Sequence, residues 1–347
     1  MRVKIEDIFH VWKNTSMNLL KNVLLLTERA VLQPDEDTIT LSIEASRQAL
    51  RRAGVDRDKI EALYLGTCTD PYDSRPSATI IAEAIGIPNQ LMCADIQFAG
   101  KSGTAALQVC LGLVGSGMIE YGLAIGADTM NRHSAPGDWS EYSGSAGAVA
   151  LVVGKEKPIV EVEATLSYAT SFTDYFRLEG ERYVRMPTIH AESLFEFGYK
   201  EHVVKACEAL MRKMDVKAED YTYAVFQQPN GVASFGAGGP LGFKTTQIAP
   251  GVVANQIGDC GAASSFLGLA NVLDRAKSGD RILLASYGFG AGSDVFSLRV
   301  MPQIEDRRGE ATLVKDLLEN KLMTDYATAM KNEYKYVKVP FAFASTI

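Results

Sequence analysis

A pattern of glycines, helix and strand occurs twice in this chain, roughly 160 residues apart. Gly100-Lys-Ser-Gly-Thr-Ala-Ala opens an apolar helical stretch, followed by Ser116-Gly117 and a strand ending at Gly126. Gly258-Asp-Cys-Gly-Ala-Ala-Ser opens another, followed by Ser278-Gly279 and a strand ending at Gly288. Such a period suits a duplicated domain rather than a solenoid, whose units recur every few tens of residues. Glycine, helix and strand also recur by chance in α/β proteins. The matched order of features favours duplication, so the expected architecture is two related halves packed face to face.

The rest of the chain keeps the same alternation, as an α/β layered fold requires. Apolar positions at helical spacing predict helices over Thr38–Ala53, Ser77–Ile85, Lys101–Val114, Glu201–Met214 and Ala262–Ala276. Gly54 and Gly86 stand where they would end the first two. Short apolar runs predict strands at Ile60–Gly66, Leu91–Phe98, Tyr121–Gly126 and Ala148–Val153. In the second part they predict strands at Tyr223–Phe226, Arg281–Tyr287 and Asp294–Val300. The expected division is an N-terminal half over residues 1–155, a C-terminal half over 156–302 and an extension over 303–347. In that extension Ile304–Asn320 reads as a charged helix. Tyr326, Tyr334 and Tyr336 then alternate with lysines, as a solvated tail with a docking helix or as an arm gripping another subunit.

A net charge of −7 leaves no electrostatic footprint for nucleic acid or anionic lipid. No apolar run approaches the length that spans a bilayer, and the N-terminal stretch lacks the apolar core of a signal peptide. Five cysteines, without CxxC or zinc-ligand spacing, read as reduced thiols of a cytoplasmic protein, and no metal is expected.

Candidate chemistry is sparse. The glycines at Gly100–Gly103 open a helix whose free N–H groups could hold an oxyanion. Gly236–Pro240 reads as a loop. Gly288–Asp294 resembles a dinucleotide fingerprint, but a strand follows it instead of the helix that motif needs. A thiol at the start of the Lys101 helix would be activated by the helix dipole, yet Gly100 stands there. Cys93 and Cys110 read as small buried hydrophobes, which leaves Cys68, in a loop after a strand, as the thiol in a reactive position. His10 and His202 fall on helical stretches as surface or capping groups. His133 and His190 fall in loops without a motif, and none stands at a strand end beside a glycine turn. No Cys–His pair is apparent.

Gly66-Thr67, Asp95–Thr104, Gly126-Ala127-Asp128-Thr129, Ala135-Pro136-Gly137-Asp138, Phe226–Gly231 and Ser286–Asp294 together resemble the archaeal-type HMG-CoA synthases of the thiolase superfamily, over nearly the whole chain. The resemblance implies a duplicated, five-layered α/β/α/β/α sandwich, and acyl transfer by a cysteine, a histidine and a glutamate. Carried over position by position, the cysteine before Lys-x-Gly-Thr is Gly100 here, and the histidine of His-Gln-Pro-Asn is Gln227. The acid corresponds to Cys68. Lys101, Gly103, Gln228, Pro229 and Asn230 match the surrounding pattern, and Asn255, Gly288 and Gly290 stand where the family lines its pocket. The resemblance also implies a strand and turn ahead of Arg2-Val3-Lys4. The expectation is therefore a first strand missing through a truncated start.

Longer runs, among them ALYLGTCTDPYDSRPSA and ADIQFAGKSGTAALQ, resemble the synthase-like subunits of bacterial 2,4-diacetylphloroglucinol acetyltransferases. In those assemblies a thiolase-like subunit carries acyl transfer to a phenolic acceptor, and a small zinc-binding OB-fold subunit joins it to the synthase-like one. The resemblance thus implies a non-catalytic subunit on a homodimer core. Such a subunit needs no cofactor, though it could keep a vestigial pocket for CoA or an acyl group. The alternative is an active HMG-CoA synthase or acyl-CoA condensing enzyme whose nucleophile has moved to Cys68.

Overall fold

The computed structural model describes residues 1–186, 194–290 and 292–336. His190 lies outside the described residues. Two four-stranded sheets carry the chain. The first, ordered β4-β3-β5-β6, is built from β3 (Ile60–Gly66), β4 (Met92–Ile96), β5 (Tyr121–Thr129) and β6 (Ala146–Val153). The second, ordered β7-β10-β9-β8, uses β7 (Val160–Ala169), β8 (Tyr223–Phe226), β9 (Arg281–Ala285) and β10 (Gly292–Val300). In each sheet a parallel pair is extended by an antiparallel strand: β3 with β5 and then β6, and β8 with β9 and then β10. The repeat expected from the glycine patterns is therefore a repeat of connectivity.

Helices fill the layers between and outside the sheets. α1 (Ile5–Trp12) precedes the first sheet, and α2 (Thr38–Ala53) and α3 (Ser77–Ile85) cover its outer face. α2 starts on a capping box in which Asp37 and Thr40 exchange hydrogen bonds, an arrangement that contributes about 1 kcal/mol. α4 (Ser102–Ser116) lies on the inner face, α5 (Glu201–Met214) on the outer face of the second sheet, and α6 (Ser264–Leu273) against its inner face. The central core joins Ala106, Leu107 and Val114 of α4 to Phe266, Leu269 and Val272 of α6, with both sheets around them. This is the α/β/α/β/α layering of a thiolase-like fold. Among the described residues no helix is long and apolar enough to cross a membrane.

Three expectations are corrected. Gly236–Pro240 is not wholly a loop, because Ala233–Gly238 forms a helical turn packed under Ile248 and Phe226. Ile304–Asn320 is not one helix but two short ones, Ile304–Arg307 and Val314–Glu319. The described tail, to residue 336, is only partly solvated: Tyr334 and Tyr336 are exposed, but a helix ahead of them docks it. α7 (Tyr326–Asn332) packs Tyr326, Ala329 and Met330 against Val3, Ile5 and Ile8, and the Glu333 and Lys335 side chains are fully buried. Their opposite charges are met by Arg29 and Glu141 of the N-terminal half, a pairing that no local pattern reveals.

Candidate functional site

The site candidates stand at the ends of parallel strands, where the backbone turns out of each sheet. Cys68 follows β3, Gly100 lies between β4 and α4, Gln227 follows β8, and Gly288 follows β9. The turn carrying Gly100 is tight: Ala99 has φ of 46°, and the Phe98 amide donates to Ser102 Oγ at 2.6 Å. Face-to-face packing of the halves brings Gln227 onto Gly100. A Cβ placed on Gly100 would lie 3.1 Å from Gln227 Nε2 and 2.6 Å from the Tyr287 carbonyl oxygen.

Gln227 is locked in place. Its Nε2 donates to the Gly261 carbonyl at 2.8 Å, and its own carbonyl accepts from the Tyr199 hydroxyl at 2.6 Å. Its Oε1 is buried without a partner, the position of an acceptor awaiting a donor. Gly261 has a positive φ of 55° and lies so close to Asp128 that a side chain there would strike the carboxylate. Contacts therefore run continuously from Cys68 through Asp128 and Gly261 to Gln227 and Gly100.

Asp128 is the polar centre of this region. It accepts from Thr67 Oγ1 at 2.8 Å, Thr69 Oγ1 at 2.7 Å, the Cys68 amide at 2.8 Å and the Ala262 amide at 2.6 Å. Burial raises its affinity for a proton, and these hydrogen bonds oppose the rise. Asp259, which accepts from the Gly261 amide at 2.9 Å, is pushed up to about 7, first by burial and then by the charge of Asp128. Both aspartates stand inside glycine motifs of the sequence, where no local pattern gives either a role. The signal available was an acid at the end of a buried strand run.

Cys68 is half-buried and free. Its Sγ donates to Asp128 Oδ2 at 3.4 Å, and burial together with that carboxylate drives the thiol well above its ordinary value. A thiolate is thereby disfavoured at Cys68. Burial also pushes Cys110 and Cys260 up to about 12.

The other pocket positions divide. Gly288 lies under the Phe98 carbonyl, where a Cβ would meet that oxygen at 2.6 Å. Gly290, at φ of 74°, packs on Phe172, and Gly288 forms a bridge with Gly292, where β10 begins. Asn255 packs instead against Gly231, and its main-chain oxygen accepts from Thr27. Lys101 Nζ donates to Asp294 Oδ1 at 2.8 Å, and Thr104 Oγ1 donates to Asp294 Oδ2 at 2.8 Å, so a buried ion pair ties α4 of one half to β10 of the other.

Among the described residues no histidine stands beside Gly100 or Gln227. His10 is exposed beside Glu6 on α1. His133 is in a short helix (Met130–His133), not a loop; it faces the Arg182 carbonyl at 2.8 Å and is pulled down to about 4 by burial. His202 is not at the surface. It is buried between the Gly198 carbonyl and the Thr170 hydroxyl, its ring 6.0 Å from that of Tyr287. Among the described residues no group of His, Cys, Asp and Glu side chains could hold a metal.

The titration of Asp259 gives a pH test. A folded value near 7, above the unfolded carboxylate value of about 4, means that the folded chain binds more protons between these limits. Its stabilising effect is complete below about pH 4 and is lost as pH rises through about 7. Urea unfolding at pH 5 and pH 8 should therefore show a smaller loss in Asp259→Asn than in the parent. An unchanged loss would remove Asp259 from that role.

Residues 30–156 match the family model described as the thiolase N-terminal domain. The chain is 42% identical over 337 residues to the hydroxymethylglutaryl-CoA synthase of Methanopyrus kandleri, covering 96% of this chain and 95% of that protein. It is 44% identical over 330 residues to the synthase of Methanobrevibacter smithii, covering 95% and 94%. The chain belongs to the hydroxymethylglutaryl-CoA synthase family. Solved structures agree on the fold. An HMG-CoA synthase complexed with CoA superposes with a TM-score of 0.87 at 19% identity, over 98% of this chain and 89% of that one. The HMG synthase of the curacin biosynthetic pathway, in complex with a holo donor-ACP, gives 0.84 at 21% over 96% and 85%. In this family member the helix that begins beside the glutamine carries glycine at its mouth.

Proposed function

We propose that this synthase-family chain is a non-catalytic subunit of an acyltransferase assembly. It would scaffold a thiolase-like catalytic subunit and a small zinc-binding OB-fold subunit for C-acetylation of phloroglucinol-type phenolics. The observation that carries the reading is Gly100 at the entrance to α4, with Gln227 packed on it. An acyl-enzyme needs a nucleophile, which glycine lacks, and an amide does not exchange protons at neutral pH. The chain itself then requires no cofactor, and any affinity for CoA or an acyl group is a remnant. A homodimer core in the cytoplasm completes the proposal.

The second reading is an active HMG-CoA synthase or another acyl-CoA condensing enzyme, favoured by relatives bearing that name at 42–44% identity. Cys68 is a poor nucleophile for it, since burial and Asp128 keep its thiol protonated.

The purified chain, given labelled acetyl-CoA and acetoacetyl-CoA, should acquire no acyl mass and form no condensation product. Gly100→Cys should not restore either, because the new Cβ meets the Tyr287 carbonyl and no base replaces Gln227. Strain at that contact should lower stability by about 1–3 kcal/mol. Turnover by the unaided chain, or an acyl group mapped to Cys68, decides for the second reading.

A further inference from the structure

Beside the site runs a hairpin that belongs to neither sheet. The Phe176 amide donates to the Arg185 carbonyl at 3.0 Å, and the Arg185 amide to the Phe176 carbonyl at 2.7 Å. Between them the Glu181 amide donates to the Leu178 carbonyl at 3.1 Å, with Gly180 in the left-handed region at φ of 74°. Phe176, Arg177, Leu178, Glu179 and Gly180 are exposed. A hairpin closed by one bridge and burying so little apolar surface is marginal by itself, so other elements must hold it.

Its ends are fixed on opposite sides of the site. At the root, the Tyr287 hydroxyl donates to Asp174 Oδ2 at 2.6 Å, and the Tyr175 ring lies 5.6 Å from that of Phe289. Tyr287 is the residue whose carbonyl faces Gly100. On the returning arm, the Val184 amide donates to the His133 carbonyl at 2.8 Å, and His133 Nδ1 lies 2.8 Å from the Arg182 carbonyl oxygen. His133 ends the short helix begun by Met130, whose Sδ is 3.8 Å from Cys68 Sγ. The hairpin therefore spans from the Gly100 side of the site to the Cys68 side. The Arg177 charge acts on Cys68 and His133 alike, as a group over that mouth would.

A further attachment reaches the C-terminal segment. The Arg182 guanidinium donates to the carbonyls of Glu333, at 2.6 Å, and Tyr334. Bonds from a charged donor are stronger than neutral ones. Their acceptors are themselves anchored. Glu333 is held by Arg29 of β2 (Glu28–Ala30), the partner strand of β1 (Arg2–Lys4). The Tyr334 ring lies 5.1 Å from the Arg132 guanidinium, and its hydroxyl donates to the Pro34 carbonyl at 2.6 Å. Arg182 itself is exposed, so it can let go while the segment stays in place.

We propose that the Phe176–Arg185 hairpin is a strap across the mouth of the site, and that the Glu333–Tyr334 backbone is the latch on which it closes. Release of Arg182 lets the strap swing on its Asp174–Tyr175 root and opens the way to Cys68 and Gln227. The device is independent of whether the chain is catalytic.

The test is alkylation of the full chain by a bulky maleimide, followed by peptide mapping at Cys68, with Cys93 on β4 as the internal reference. Cys68 is half-buried, so the reagent reaches it through the mouth and not through unfolding. Arg182→Ala should speed both Cys68 labelling and amide exchange across residues 176–185 by about 10-fold or more, as loss of charge-assisted bonds predicts. Tyr334→Ala, which loosens the latch from the other side, should speed Cys68 labelling by at least about threefold. Cys93 should label at the parent rate in both. Unchanged Cys68 labelling in Arg182→Ala overturns the strap. A gain in Arg182→Ala without one in Tyr334→Ala overturns the latch and assigns closure to the His133 contacts. Parallel acceleration of Cys93 makes the effect a general loosening, and the proposal fails.

Discussion

Replacing Arg29 with Met is expected to destabilise the fold by about 3–5 kcal/mol, measured by urea unfolding. The Arg29 side chain is fully buried and donates to both oxygens of Glu333, at 2.5 and 3.1 Å. Lys335 Nζ lies 3.1 Å from Glu333 and 3.1 Å from Glu141, so two cations meet two anions away from water. Burial pulls the Arg29 guanidinium down, but the Glu333 charge and its hydrogen bonds outweigh that and leave it raised. Removing Arg29 leaves two carboxylates facing one ammonium, and an uncompensated buried charge costs more than the pair contributes. Because Glu333 directly follows α7, the same variant should open the C-terminal segment to proteolysis. Arg29→Met combined with Glu333→Leu should recover part of the loss, since it removes both charges. A loss below about 1 kcal/mol for the single variant would show that water reaches the cluster.

An effect of similar size is expected at the other buried ion pair, which joins the halves. Asp294 accepts from Lys101 Nζ at 2.8 Å, Thr104 Oγ1 at 2.8 Å and Ser167 Oγ at 2.7 Å, drawing on α4, β7 and β10 together. Asp294→Ala strands the Lys101 ammonium against the Phe98 ring, 4.1 Å away, and should cost about 3–5 kcal/mol. Asp294→Asn keeps the size and some hydrogen bonds and should fall between the parent and the alanine variant. Equal stabilities for the two variants would assign the effect to packing and not to charge. The Gly100 turn lies directly before Lys101, so either variant should also speed amide exchange at residues 98–102. A change confined to β10 would separate the pair from the site.

Sequence legibility followed the range of the interactions concerned. Thr38–Ala53, Ser77–Ile85 and Glu201–Met214 have the bounds expected from periodicity, because apolar spacing and helix-ending residues act within a few turns. β7 was missed. Its burial is intermediate or exposed at every residue, and Glu161 and Glu163 interrupt the apolar run that marks a buried strand. Glu163 is tolerated because Arg299 reaches it from the adjacent β10 and Arg281 from β9 beyond it. At the site, Gly100 and Gln227 could be named in place of a thiol and a base only through the family resemblance that their motifs carry. Their contact could not, and neither could the Cys68–Asp128 hydrogen bond that keeps the thiol protonated.

The amino-acid sequence by itself determined the α/β alternation, the doubled glycine–helix–strand unit and the lack of a nucleophile at the mouth of α4. Each of these is written in neighbouring residues. Only the tertiary structure decided which acids share a buried centre and which charges close the C-terminal segment. Those depend on groups far apart in the chain, whose desolvation and pairing exist only once the two halves have packed.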